Sequence, residues 1–155
     1  DELLELTERR GLGSVVRLVG ECRDMPAAYM LADVVVSAST DPEAFGRVAA
    51  EAQAMGRPVI ASDHGGARET VLPGETGWLV PPGDPGALAG ALEQALSLDA
   101  GTRAAVAVAA REHVLANFTV ERMCQATRGV YGDLLQGGRR GAWRRLRGWN
   151  VPASW

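Results

Sequence analysis

Short runs rich in apolar residues divide the chain and predict four strands. The runs lie at Val15–Val19, Val34–Ser37, Pro58–Ser62 and 78–80. β-branched residues dominate several of them, and glycine or proline bounds three of the four, as is typical of strands. The run Val34–Ser37 does not alternate between apolar and polar positions, so we expect that strand to be buried on both faces.

Apolar residues at helical spacing occupy the segments between these runs. They predict helices at Leu3–Arg10, Pro26–Ala32, Ala44–Met55, around Glu69 and Val71, around Leu88, Leu92 and Leu96, at Thr102–Ala116 and at Thr119–Leu135. Strands that alternate with helices predict an α/β fold, in which a parallel sheet of about four strands carries helices on both faces. We assign residues 1–136 to this one domain.

The composition agrees with one globular domain, since the chain has 155 residues, of which 46% are apolar and 23% charged. No apolar run is long enough to span a membrane, and no signal sequence opens the chain. We therefore expect a cytoplasmic protein, in which Cys22 and Cys124 are buried free thiols. The chain begins with Asp1 rather than Met, so we expect it to be a fragment of a longer protein.

All 16 basic residues are arginines. The absence of lysine excludes a P-loop, a Schiff-base enzyme and a protein kinase. The residues before Gly137 carry a net charge of −8, so the body is not expected to bind nucleic acid. Residues 137–155 hold five arginines and three of the four tryptophans, without helical or strand periodicity. We predict a disordered tail, with contact to the inner face of a membrane as the alternative.

Two carboxylates, Glu43 and Glu51, mark the junction between the predicted strand Val34–Ser37 and the helix after it. Ligands of open α/β sheets bind beyond the carboxyl ends of the strands. The first amides of a helix are free donors and its dipole is positive there, which suits a diphosphate. Eight helical residues span about 12 Å, a separation that fits the ribose and the sugar at the two ends of a sugar nucleotide. At this spacing alone both acids are also ordinary helix residues.

A longer pattern surrounds these two acids. It comprises Ser39, Glu43, Phe45-Gly46, Val48, Glu51-Ala52, Ala54, Gly56 and Pro58–Ser62, and continues through Gly65-Gly66, Glu69, Thr76–Pro81, Asn117–Thr119 and Tyr131. The pattern resembles the Glu-x7-Glu signature of the retaining family-four (group 1) glycosyltransferases of GT-B fold, and the resemblance covers nearly all of 3–135. It implies that the chain is similar to the C-terminal, Rossmann-like half of such an enzyme, which binds the nucleotide sugar.

The resemblance also implies roles for individual residues. Glu51 would hold the ribose hydroxyls, and Glu43, as the catalytic residue, would hold the transferred sugar and steady its developing positive charge. The diphosphate and the sugar would meet the backbone amides of Phe45, Gly46, Arg47 and Val48. The nucleobase would lie at the loop Glu21, Cys22 and Arg23.

The substrates follow from the same resemblance. The donor would be a UDP- or GDP-sugar of hexose type, transferred with retention to a glycan or lipid-linked acceptor in polysaccharide or glycolipid biosynthesis. No cofactor or metal is expected. Two alternatives stay open: a non-catalytic nucleotide-binding or scaffold module, and a relative that acts as a sugar-nucleotide epimerase.

The chain departs from the family pattern at the diphosphate. The family's Arg and Lys for that group come from the start of this domain, which has no counterpart here, and neither do the domain's first strands or the acceptor domain with its catalytic His. The fragment alone is therefore expected to be inactive. The strand Val15–Val19 would remain unpaired, pair elsewhere, or self-associate through an exposed sheet edge.

Four further features are assigned structural roles. We expect Gly65-Gly66 to form a tight turn, His64 to be a loop residue, His113 to lie on a helix surface, and Arg68 to be solvated. Contact of Gly65-Gly66 or Arg68 with phosphate is the alternative for those residues.

Overall fold

The computed structural model describes the backbone of residues 2–146 and the side chains of residues 2–135. Its elements, in order, are α1 (Glu2–Arg9), α2 (Met25–Leu31), β1 (Val35–Ser37), α3 (Arg47–Ala54), β2 (Val59–Ser62), α4 (Ala67–Thr70), β3 (Gly77–Val80), α5 (Pro85–Leu96), α6 (Ala100–Asn117) and α7 (Val120–Leu146). In this described part of the chain, no helix is long and apolar enough to cross a bilayer.

The three strands form a parallel sheet in the order β1-β2-β3, which confirms the α/β fold class. Val36 pairs with Ile60, and Ile60 pairs with Trp78. Strand β2 is central and all four of its residues are buried. Because successive side chains of a strand point to opposite faces, Val59 and Ala61 enter one core and Ile60 the other.

The two cores lie on opposite faces of the sheet. The first contains Tyr29 of α2 and Ala49 and Ala52 of α3, packed on Val59 and Ala61. The second contains Ala91 and Ala95 of α5, packed on Ile60 and Val80. Helices therefore cover both faces of the sheet. Helix α3 lies on one face and α5 on the other.

The predicted first strand is wrong. Residues 15–19 have turn and irregular backbone, and Val15 and Val19 are 73% and 81% exposed. A strand needs a neighbour for its backbone N–H and C=O groups, and no strand of the described chain lies beside this segment. Within the described chain this segment is unpaired, and the sheet has three strands rather than about four. Its predicted self-association through a sheet edge stays a prediction.

The predicted burial of Val34–Ser37 on both faces is also wrong. Strand β1 is an edge strand, and Val36 is 39% exposed. A strand is buried on both faces where a neighbour lies on each side and helices cover both faces, and among the described strands only the central β2 has that position.

Aspartates begin three of the helices. Asp24 accepts a hydrogen bond from the amide of Ala27, and Asp84 accepts one from the amide of Ala87. Asp99 caps α6, and hydrogen bonds from Thr102 are the main reason that the pKa of its carboxyl is lowered. These caps satisfy amides that lack a partner within the helix.

Helix α7 continues to Leu146, past the predicted end at Leu135 and the assigned domain boundary at 136. The change in composition at Gly137 therefore does not end the helical backbone. The membrane alternative concerns tail side chains that lie outside the described residues.

Both cysteines are free, as expected, but both are exposed, so their predicted burial is wrong. Cys22 lies in the irregular segment before α2. Cys124 lies on α7, whose side chains up to residue 135 are largely exposed.

Candidate functional site

The loop between β1 and α3 carries Glu43. Gly46 ends this loop in a left-handed conformation, with φ 78° and ψ 58°, and forms the N-cap of α3. A residue with a side chain is strained in that region, so glycine is needed here. Helix α3 begins at Arg47, three residues later than predicted, because the left-handed Gly46 interrupts the helical backbone.

The late start of α3 changes the predicted arrangement in two ways. The free first-turn amides are those of Arg47, Val48 and Ala49, whereas Phe45 and Gly46 precede the helix. Of the residues from Glu43 to Glu51, only those from Arg47 onward are helical. The estimate of about 12 Å along a helix axis therefore does not apply to the two acids. The two acids still lie on either side of the start of α3.

Glu43 is held by its neighbours through both its side chain and its backbone. The Ser39 hydroxyl donates a hydrogen bond to Glu43 Oε1 over 2.5 Å. The amide of Gly66 donates to the Glu43 carbonyl over 2.8 Å. The carboxylate therefore has a defined position at the carboxyl end of β1.

His64 supports the same loop from the carboxyl end of β2. Its Nε2 lies 2.9 Å from the carbonyl of Ser39, and because a carbonyl only accepts, Nε2 carries the proton. Its Nδ1 is buried and has no hydrogen-bond partner among the described residues. His64, Ser39 and Glu43 line a cavity of about 10 Å³, close to the smallest size that holds one water.

The pair Gly65-Gly66 forms the predicted turn and also packs against the Glu43 loop. A Cβ on Gly65 would lie 2.3 Å from the Glu43 carbonyl oxygen, and one on Gly66 would lie 2.5 Å from the backbone of Phe45. Any side chain at either position would collide with backbone. The two glycines thus permit the close approach of the loops that carry His64 and Glu43.

Phe45 connects the Glu43 loop to the end of α6. Its ring meets that of Phe118 edge-on at 5.6 Å, and the Phe118 ring meets that of His113 at 5.4 Å. His113 Nε2 lies 3.3 Å from the carbonyl of Glu69. His113 is therefore on a helix, as expected, but is partly buried by these contacts. Phe45 and Phe118 also border a crevice of about 750 Å³ beside the start of α7.

Glu51 has a partner on each carboxylate oxygen. The Tyr29 hydroxyl donates to Oε2 over 3.0 Å. Arg47 donates to Oε1 from Nε at 3.2 Å and from Nη2 at 2.9 Å. Burial, together with the hydrogen bond to Glu51, raises the pKa of Tyr29 to about 12. The predicted ribose ligand is thus a carboxylate oriented between a phenol and a guanidinium.

The remaining predicted residues lie apart from this arrangement. Glu21, Cys22 and Arg23 are exposed, and no hydrogen bond or ion pair of the described chain joins them to Glu43 or Glu51. Arg68 is exposed as expected, and its guanidinium is paired with the Asp63 carboxylate at 2.8 Å.

Two residues near the site were absent from the sequence predictions. Tyr29 contacts Glu51 from 22 positions away. Gln53 is fully buried and donates from Nε2 to the carbonyl of Thr70 over 2.7 Å, which joins α3 to α4. A polar residue at a core position of a predicted helix was the available signal for Gln53, whereas nothing local distinguished Tyr29.

The described residues contain no group of three or more His, Cys, Asp or Glu that could hold a metal ion. The site brings together two carboxylates, the free amides at the start of α3, and the hydrogen bonds of Ser39 with Glu43 and His64.

Comparison with known proteins defines the class. The family model described as "Glycosyl transferases group 1" matches residues 1–113. The chain therefore belongs to the group 1 glycosyltransferases, and its fold is part of a GT-B Rossmann-like domain, as the sequence resemblance predicted.

Individual relatives agree with this assignment. The chain is 43% identical over 135 residues to a D-inositol 3-phosphate glycosyltransferase of Corynebacterium diphtheriae, covering 86% of this chain and 31% of that protein. It is similar to a glycosyltransferase structure from Rickettsia africae ESF-5, with a TM-score of 0.84 and 34% identity over 88% of this chain and 36% of the other. It also matches Anabaena Alr3699/HepE in complex with UDP-glucose, with a TM-score of 0.80 and 34% identity over 86% and 36% of the two chains. The chain thus spans about a third of the length of these relatives.

Proposed function

We propose that this chain is the C-terminal, donor-binding part of a retaining glycosyltransferase that uses a nucleoside-diphosphate sugar. The observation that carries the proposal is the placement of Glu43 and Glu51 on either side of the first turn of α3. Between them lie the free amides of Arg47, Val48 and Ala49. An anionic diphosphate at this helix start would have a hydroxyl-bearing group near each carboxylate.

In this proposal Glu51 binds the ribose and Glu43 the transferred sugar. A carboxylate that accepts a hydroxyl proton forms a charge-assisted hydrogen bond, which is stronger than a neutral one. At the sugar, the negative charge of Glu43 would stabilise the positive charge that develops as the glycosidic bond to the diphosphate breaks. The leaving phosphate would then assist the acceptor hydroxyl, which attacks from the same face, and no covalent intermediate with the protein is required.

The donor and the acceptor are inferred from the relatives. The Anabaena structure contains UDP-glucose, which supports a UDP-sugar as the first donor to test. GDP-sugars remain the second choice. The name of the Corynebacterium relative makes an inositol phosphate the first acceptor to test. The acceptor site is expected on residues outside this chain.

Nucleotide binding tests the proposal most directly. Calorimetric titration of the natural protein that carries this sequence should show binding of UDP or GDP. Glu51→Gln should weaken binding about tenfold or more, because a hydrogen bond to a charged group is worth about 1.5–3 kcal/mol.

Glu93→Gln is the matched control, since Glu93 is an exposed glutamate on α5, on the opposite face of the sheet. It should leave the dissociation constant unchanged. Absence of binding to both nucleotides would refute the proposal and favour the scaffold alternative.

A further inference from the structure

The two partners of Glu51 differ in how firmly the fold holds them. Tyr29 is 5% exposed, whereas the Arg47 side chain is 82% exposed. Tyr29 donates to Oε2 and Arg47 to Oε1. The carboxylate therefore has one oxygen bound from inside the protein and one bound from the solvent side.

Three contacts hold Tyr29 and its helix in place. The ring belongs to the core cluster that includes Ala49, Ala52 and Val59. The N-terminus of α2 is capped by Asp24, and the carbonyl of Met30 near its end accepts a hydrogen bond from Arg57 over 2.6 Å. The phenol oxygen consequently has little freedom to move without disturbing the core.

Arg47 is displaced from Glu51 more easily than Tyr29 is. An ion pair between exposed side chains four residues apart on a helix contributes little to stability and is screened by salt. A ligand that offers hydroxyl donors to Oε1 can therefore take over from the guanidinium at small cost. Tyr29 would remain bound to Oε2 during that exchange.

We propose that Tyr29 is a positioning residue for the ribose of the donor: its hydroxyl holds Oε2 of Glu51 so that Oε1 faces the ribose hydroxyls, while Arg47 occupies Oε1 in the free protein. This inference rests on the proposed function and adds to it a residue outside the Glu-x7-Glu pattern. The hydrogen bond to Glu51 also satisfies the Tyr29 hydroxyl, which would be costly to bury without a partner.

The protonation state of Tyr29 supports this role. A phenol donates only while it is protonated, and Glu51 accepts best while it is ionised. Burial and Glu51 both raise the pKa of Tyr29, and the charge of Arg47 acts in the opposite direction. The phenol thus remains a donor throughout the neutral pH range.

The test compares UDP with 2′-deoxy-UDP and 3′-deoxy-UDP by calorimetry on the natural protein that carries this sequence; GDP and its deoxy analogues replace them if the protein prefers guanine. The wild type should bind at least one deoxy analogue about tenfold or more weakly than the parent nucleotide. Tyr29→Phe keeps the ring and removes only the hydroxyl. The variant should bind the parent nucleotide severalfold more weakly than the wild type. Its affinities for the parent nucleotide and for the deoxy analogue should differ by about threefold or less.

Two controls separate positioning from a general structural effect. Tyr131→Phe removes the hydroxyl of an exposed tyrosine on α7 and should leave both affinities unchanged. In the double variant Tyr29→Phe with Glu51→Gln, binding should be no weaker than in Glu51→Gln alone, since Tyr29 acts through Glu51.

The outcomes distinguish this inference from the proposed function. If Glu51→Gln weakens binding but Tyr29→Phe leaves the discrimination intact, the role of Tyr29 is refuted and the donor site stands. Additive losses in the double variant would also refute it. If the wild type binds neither nucleotide, the proposed function fails, and the inference fails with it.

Discussion

The Ser39 hydroxyl donates a 2.5 Å hydrogen bond to Oε1 of Glu43, and the carbonyl of the same serine accepts a hydrogen bond from His64. Ser39 thus connects the carboxylate at the end of β1 to the loop that follows β2. In the proposed function this carboxylate binds the transferred sugar, so its orientation should affect the sugar and not the nucleotide.

Ser39→Ala tests whether Glu43 contacts the sugar and not the nucleotide. The variant should bind UDP-glucose about three- to tenfold more weakly than the wild type, because the carboxylate loses one oriented donor, and should bind UDP equally well. Calorimetry with UDP and with UDP-glucose measures the two dissociation constants. Ser97→Ala, at the exposed end of α5, removes a hydroxyl that donates to the Gln94 carbonyl and should change neither constant. Equal weakening of UDP and UDP-glucose would contradict the assignment of Glu43 to the sugar.

Gly66→Ala should destabilise the fold by about 1–3 kcal/mol, because the added Cβ would lie 2.5 Å from the backbone of Phe45. Gly90→Ala is the control: it lies within α5 with open space around it, and should stabilise the protein by about 0.5–1 kcal/mol. Urea unfolding measures both. A Gly66→Ala variant as stable as the wild type would show that the Glu43 loop adapts more easily than the backbone contact implies.

The raised pKa of Tyr29 predicts a loss of stability at alkaline pH. The unfolded chain releases the phenol proton near pH 10, the ordinary tyrosine value, whereas the folded chain retains it until about pH 12. Since the folded state binds more protons in that window, the free energy of unfolding should fall as pH rises from about 10 towards 12. Tyr29→Phe should lose this component of the slope, and Tyr131→Phe should retain it. Denaturant unfolding at a series of pH values checks both; identical slopes in the wild type and Tyr29→Phe would contradict the assignment.

Arg47→Gln should change the free energy of unfolding by no more than about 0.5–1 kcal/mol, despite the loss of two hydrogen bonds to Glu51. The reason is that the guanidinium is largely in solvent. Unfolding at low and high salt provides the measurement, and the small difference should shrink further as salt screens the pair. A loss above 2 kcal/mol would mean that Arg47 is an integral part of the fold and is not readily displaced.

Local pattern was sufficient for most secondary structure. The strands β1, β2 and β3 and the caps Asp24 and Asp84 follow from short apolar runs, prolines and aspartates, whose effects act within a few residues. The Val15–Val19 run shows the limit of such reasoning. Its residues favour a strand as strongly as those of β2, but strand formation depends on a partner elsewhere in the chain.

The functional site also combines features that local sequence determined with features that depend on tertiary contacts. The sequence alone determined the family, the fold class and the positions of Glu43 and Glu51, because these depend on residue types at fixed spacing. Tertiary structure decided what holds each carboxylate. Ser39 and His64 support Glu43 from two strand ends, Tyr29 reaches Glu51 from another helix, and the left-handed Gly46 delays the start of α3. Those contacts join residues up to 25 positions apart, and such distances close only when the sheet and its helices have packed.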